Sequence, residues 1–143
     1  MVGTTGRSSA SVGGVEQLKL EPGEIVQELG WDEDVDEELR SNIMDAIDGD
    51  LVEDVVEAVD VVLLWQRNDT DVADSLVDAL RDLSAGGRIW LLTPKIGRPG
   101  YVAPADIAEG AEVAGLALTS AVEVSADWQA CKVVRPHAHG NRR

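Results

Sequence analysis

The sequence predicts an α/β fold: three layers built on a mostly parallel sheet that closes with a C-terminal antiparallel hairpin. Three observations carry this. Ala58–Trp65 and Arg88–Thr93 are nearly continuous apolar runs, as strands buried on both faces are. A segment of helical spacing lies between them, so strand, helix and strand follow one another within about 35 residues; such units are right-handed in nearly all proteins. Near the end, Leu116–Val124 and Gln129–Val134 alternate in polarity and are joined by Ser125-Ala126-Asp127, the pattern of a hairpin.

The elements follow in order. Residues 1–17 are dominated by Gly, Ser and Thr and read as a disordered tail, with order starting near Leu18. Pro22-Gly23 makes a turn, and Glu24–Leu29 is a short strand that ends at Gly30. Asp32 or Asp34 then caps a helix that runs to Ile47. Val35, Leu39, Ile43 and Ile47 step by four along its apolar face, and Asp48-Gly49-Asp50 ends it. Residues 51–57 fit a short helix and a strand equally.

Asp69-Thr70-Asp71 caps the next helix, Val72–Leu83, which carries Val72, Leu76, Val77, Leu80 and Leu83 on one side. Ser84-Ala85-Gly86-Gly87 stops it. Pro94–Pro104 is a loop rich in Pro and Gly, and Ala105–Ala114 is a helix closed by Gly115. From Pro136 the chain is polar. The expected organisation is one domain, residues 18–136, between tails at 1–17 and 137–143.

Composition narrows the function. With aromatics at 3% and no Phe, the core must be made of Val, Leu, Ile and Ala, with Trp90 buried in the run Ile89-Trp90-Leu91-Leu92. The lone Cys131 cannot form an internal disulfide, which fits a reducing cytoplasm, and it reads as a small packed hydrophobe. No apolar run approaches the roughly 20 residues that span a bilayer, and Met1–Gly14 lacks the apolar centre of a secretory signal. A cytoplasmic location is the expectation.

Charge is the strongest signal. The net charge is -15, and residues 20–60 hold 16 acidic side chains against one basic one, Arg40, so the whole imbalance lies in that segment. Such a field repels nucleic acid phosphates and anionic lipid and favours a basic protein surface. The expectation is therefore no nucleic acid, no membrane, and a basic protein partner met by Asp34, Asp36, Glu37 and Glu38. The plain alternative is a solvated face that keeps the chain in solution.

Two resemblances enter here. Asp60–Leu64, Leu76–Leu83, Gly86-Gly87, Gly115-Leu116 and the alternating Ala117–Val134 follow one another as in the C-terminal half of a class I methyltransferase. That likeness covers Val59 to Pro136 and implies a Rossmann-like fold. Glu28-Leu29-Gly30-Trp31-Asp32-Glu33-Asp34, taken with Ile89-Trp90-Leu91-Leu92-Thr93-Pro94-Lys95, is similar to a family of small actinobacterial proteins known as a domain of unknown function. This second likeness covers about residues 18 to 136 and implies a reduced methyltransferase-like fold without an established activity.

The constellations that carry chemistry are sparse. A methyltransferase has acid-x-Gly-x-Gly-x-Gly after its first strand. Only Glu28-x-Gly30 stands here, with Asp32 and Asp34 at the later glycine positions. Those glycines let backbone approach the ligand, so their loss removes room for S-adenosylmethionine. If that cofactor is bound, Glu28, Gly30, Trp31 and Trp65 would hold it; otherwise Trp31 and Trp65 close the end of the core. Lys95, Arg98 and Tyr101, on the loop after the second apolar strand, are candidates for a phosphate or carboxylate ligand.

Nucleophilic catalysis finds no fixed base, because His137 and His139 both lie in the expected tail. Calcium is disfavoured: Asp32-x-Asp34-x-Asp36 matches only the first part of a binding loop, and a glutamate stands where glycine belongs. No metal and no catalytic residue are expected. The sequence thus points to a non-catalytic Rossmann-like binding or regulatory domain that presents an acidic surface to a protein partner and needs no cofactor. The alternative is a diminished S-adenosylmethionine-dependent methyltransferase that retains cofactor binding.

Overall fold

The computed structural model describes residues 14–54 and 57–136. Its elements are β1 (Val26–Leu29), α1 (Glu37–Ile47), β2 (Val59–Trp65), α2 (Val72–Leu80), β3 (Leu83–Pro94), α3 (Pro104–Val113), β4 (Ala117–Glu123) and β5 (Trp128–Val134). The sheet runs β1-β2-β3-β5-β4. The first three strands are parallel, with Val26 beside Val61 and Val62 beside Ile89. The β4–β5 hairpin closes the sheet antiparallel, with Leu91 beside Cys131. This is the three-layer, Rossmann-like α/β fold that the apolar runs and the hairpin imply.

Alternation divides the two central strands between two cores. Val61, Leu63 and Trp65 of β2 and Trp90 and Leu92 of β3 face α1, where Leu39, Ile43 and Ile47 meet them. Val62, Leu64, Ile89 and Leu91 face α2 and α3 and pack on Leu76, Ala79, Ile107 and Ala111. A strand covered on both faces needs apolar residues at every position, which is why these runs are continuous. Trp90 is buried, and its indole N–H donates to the Leu18 carbonyl at 3.1 Å. That bond docks a 3₁₀ turn, Val15–Leu18, on the α1 face, so order reaches three residues ahead of Leu18. Residues 1–13 and 137–143 of the expected tails lie outside the described residues.

Three local expectations need correction. First, α1 starts later. Asp36 is its cap, accepting from the Leu39 N–H at 2.9 Å, whereas Asp32 serves a turn, with its carbonyl accepting from Val35 N–H at 3.3 Å. Second, α2 stops at Leu80, and Val77 is 54% exposed rather than turned to the core. Ser84–Gly87 do not stop a helix; they belong to β3. A Cβ on Gly87 would lie 2.9 Å from the Asp60 carbonyl oxygen, where β3 bulges: Leu83 pairs with Val59 and Arg88 with Val61, so Ser84–Gly87 stand opposite Asp60 alone. The glycine marks a close strand approach. Third, residues 51–54 form neither helix nor strand. Val52 makes one isolated parallel bridge to Gln27 on the outer side of β1.

Candidate functional site

In open α/β sheets, ligands sit beyond the carboxyl ends of the strands, where the chain reverses its progress across the sheet. Here the chain leaves β1 through α1, touches the outer side of β1 at Val52, and returns on the other side as β2. The crevice is thus at the ends of β1 and β2, and the residues that meet there are Glu28, Gly30, Trp65 and Arg67.

These residues hold one another. Glu28 is 4% exposed; it accepts from Arg40 Nε at 2.6 Å and Nη2 at 2.8 Å and from the Trp65 indole at 2.9 Å. The Arg40–Glu28 pair ties α1 to β1, and Arg40 also reaches Glu37 within α1 at 2.8 Å. A buried carboxylate needs such a full set of donors. Gly30 has φ +81°, and a Cβ there would collide with the Trp65 carbonyl oxygen. Its glycine character serves the approach of two strand ends.

Arg67, just past β2, spans the crevice. It forms a two-pronged pair with Asp34, with Nε at 2.9 Å from Oδ2, and donates to the Gly30 carbonyl at 2.8 Å. Its guanidinium lies 5.5 Å from the centre of the Trp128 ring, which stands edge-on to Trp65 at 4.8 Å. The pairing holds the Asp34 carboxyl below its ordinary range and raises the Arg67 guanidinium. The Arg67–Asp34 pair bridges one side of the crevice, between the turn after β1 and the end of β2.

On the α2 side of β1 the crevice opens into a groove of about 470 Å³, which Gly30, Trp65 and Arg67 themselves line. Leu29 and Leu64 line it together with Trp31, Asp32, Asp69 and Asp78. Trp31 is 48% exposed there. The expectation that Trp31 closes the core is therefore wrong: only Trp65 does so, because β1 ends before Trp31 and Gly30 turns the chain outward.

The other candidates are placed as follows. Lys95 pairs with Glu123 at 3.3 Å and Arg98 with Asp127 at 3.2 Å, so both cations of the loop bind the β4–β5 hairpin. The Tyr101 backbone N–H donates to the Arg98 carbonyl at 3.2 Å. Of the four acidic residues expected to face a partner, Asp34 holds Arg67, Asp36 caps α1 and Glu37 holds Arg40; Glu38 is in no ion pair among the described residues. The exposed carboxylates Glu33, Asp45, Asp50, Glu53 and Asp54 are likewise outside any ion pair among those residues. Burial pushes the Cys131 thiol up, away from the reactive thiolate. Among the described residues there is no cluster of three or more His, Cys, Asp or Glu placed to hold a metal ion, and no helix long and apolar enough to cross a membrane. His137 and His139 lie outside those residues.

The sequence places Arg67, with Trp31, Trp65 and Lys95, at the strand-end edge where a ligand would sit; its pairing with Asp34 and the presence of Trp128 were missed. The available signal was Arg67 itself, a cation directly after a buried strand, but its partners lie 33 and 61 positions away.

Comparison with known proteins completes the picture. The sequence matches the model of DUF3052, a protein family of unknown function, over residues 15–137. It is 45% identical over 129 residues to uncharacterized protein Rv2239c of Mycobacterium tuberculosis and to Mb2263c of Mycobacterium bovis, covering 89% of this chain and 81% of each relative. Among solved structures it is similar to the O-methyltransferase NcsB1 of neocarzinostatin biosynthesis, with a TM-score of 0.61, 12% identity, and coverage of 80% of this chain and 50% of that one. A TehB-like S-adenosylmethionine-dependent methyltransferase from Corynebacterium glutamicum gives 0.53, 15% identity and 85% of both chains. At such identity the likeness concerns the fold alone. The chain belongs to the DUF3052 family, and it carries that family's sequence on a methyltransferase-like Rossmann fold.

Proposed function

We propose that this protein is a non-catalytic Rossmann-like domain that docks a basic segment of a protein partner on its acidic edge. The observation that carries this reading is the set of exposed carboxylates on α1 and the turn after it, which are left outside ion pairs while the nearby cations Arg40 and Arg67 are held by Glu28, Glu37 and Asp34. Internal pairs use Glu24, Glu28, Asp34 and Glu37. The carboxylates that remain create an uncompensated field, which steers cations toward this edge. Exposed Trp31 offers a ring face for a lysine or arginine side chain at the rim of the groove. The reading places the domain in the cytoplasm, with no resident cofactor.

The test compares the wild type with a variant that carries Glu38→Lys, Asp45→Lys, Glu53→Lys and Asp54→Lys. These positions avoid the cap and the internal pairs, so the fold stays intact. Capture of a basic partner from the native lysate should occur at low salt, fade at moderate salt and be lost in the variant. Identical partners for both proteins at both salts overturn the proposal. In parallel, S-adenosylmethionine should leave the Trp fluorescence flat up to millimolar ligand; a saturable change would favour the cofactor-binding alternative.

A further inference from the structure

The two edges of the sheet are unlike. The outer side of β1 carries the Val52 bridge, and the exposed Asp50, Glu53 and Asp54 flank Val52 in sequence, charges that discourage strand pairing. The opposite edge, β4, has no such guard. Its residues are Ala117-Leu118-Thr119-Ser120-Ala121-Val122-Glu123, with no Pro and no Lys. Among the described residues β4 pairs only with β5, and Leu118 through Ala121 are exposed. The one charge of the strand, Glu123, is already matched by Lys95. On the α3 side of this edge runs an apolar trough of about 310 Å³, lined by Pro104, Ile107, Leu118, Ala121, Ala130 and Cys131. Leu118 is 39% exposed at its rim.

We infer that β4 is the interface through which two copies of this chain pair, antiparallel, into a continuous ten-stranded sheet, twice the five strands of one copy. Charge selects a second copy as the occupant. A chain of net charge -15 repels itself unless its copies meet away from residues 20–60, and β4 lies at the far end of the sheet from that segment. Residues 95–136, which carry α3, β4 and β5, hold five acidic and four basic side chains, so this end is nearly neutral. Pairing there sets the two acidic edges at opposite ends of the dimer.

The register follows from the faces. The bulge between Leu118 and Ser120 leaves Ala121, opposite Cys131, on the α3 face, and Val122, opposite Ala130, on the α1 face. A twofold axis at Ala121 sets that residue against its own copy and Ser120 against Val122, on matching faces. It keeps the two Glu123 side chains about 13 Å apart along the strands. Each copy then offers Leu118 to the trough of the other.

Sedimentation and light scattering of the full chain should give about twice 15.3 kDa at high micromolar concentration, unchanged between low and high salt. That salt response is opposite to the one expected for capture of a basic partner, so either idea can fail alone. Ala121→Lys opposes two cations at the axis and should return the mass to that of one chain, with an unchanged far-ultraviolet spectrum. Should that variant fail to fold, cross-linking decides. In a Cys131→Ser background, which removes the thiol directly across β4–β5, Ala121→Cys should be captured as a disulfide dimer under mild oxidation, and Glu123→Cys should stay monomeric. A single-chain mass for the wild type at high concentration, or equal cross-linking at both positions, overturns the inference.

Discussion

Gly30 owes its glycine character to the close approach of two strand ends. Its φ of +81° and the collision that a Cβ would make with the Trp65 carbonyl act together. Gly30→Ala should therefore cost more than the roughly 1–3 kcal/mol of a strained backbone position alone. Urea melts check this, and a loss below about 0.5 kcal/mol would mean that the strand ends do not need the glycine. The Glu28-x-Gly30 remnant was visible in the sequence, but its use was not. A carboxylate and a glycine after a strand look the same whether they meet a ligand or Arg40, Trp65 and Arg67. Only the fold brings those three partners, one from α1 and two from the end of β2 and the loop after it, to the end of β1. Trp90 was legible for the contrary reason: its neighbours in sequence already declared a buried strand.

At the scale of elements, β2, β3 and the closing hairpin were readable because continuous or alternating apolar residues leave a strand few other placements. Boundaries were less so. The start of α1 offers Asp32, Asp34 and Asp36 as caps, all chemically suited, and the choice falls to the turn that Asp32 closes on Val35. Asp36→Ala should lower stability by about 1 kcal/mol, the ordinary value of a lost cap. Asp32→Ala should stay within about 0.5 kcal/mol, because its side chain is exposed and meets only the neighbouring Glu33 N–H. Equal losses in thermal melts of the two variants would place the cap elsewhere. The boundary between α2 and β3 was misread because Gly86-Gly87 resembles a helix stop. The strand contact that requires Gly87 involves Asp60, 27 positions earlier, and is invisible to local pattern.

For the whole molecule, charge sets both the behaviour in solution and the response to acid. Arg88 holds the Glu24 carboxyl below its ordinary 4.5, and Arg67 holds Asp34 below 3.8. A group lowered in the folded state favours folding at pH values above its unfolded value, and that gain is lost as pH falls through the folded value. Stability should therefore begin to fall as pH drops below about 4.5 through the Glu24 pair and below about 3.8 through the Asp34 pair, and go on falling until each lowered folded value is passed. At neutral pH added salt should raise stability, since it screens the repulsion among residues 20–60. Urea melts across pH and salt test both trends. Arg88→Met should shallow the acid limb, and a limb of unchanged slope would show that the Glu24 pair does not govern it. The concentration of charge was legible from sequence at once; which carboxylates are free for a partner required the coordinates, because Arg40, Arg67 and Arg88 each select theirs across the fold.

The Val52 bridge has a consequence for exchange with solvent hydrogen. On its outer side β1 is held by two backbone bonds, Glu28 N–H to the Val52 carbonyl at 2.7 Å and Val52 N–H to the Val26 carbonyl at 3.0 Å. Its inner side is laced to β2 over four residue pairs. Releasing the outer pair breaks little of the core, so the amides of Glu28 and Val52 should exchange together through a small local opening, far faster than those of Val62 and Leu91. Each such opening would briefly bare the edge of β1 beside the acidic turn, a moment when an incoming basic strand could take the place of Val52.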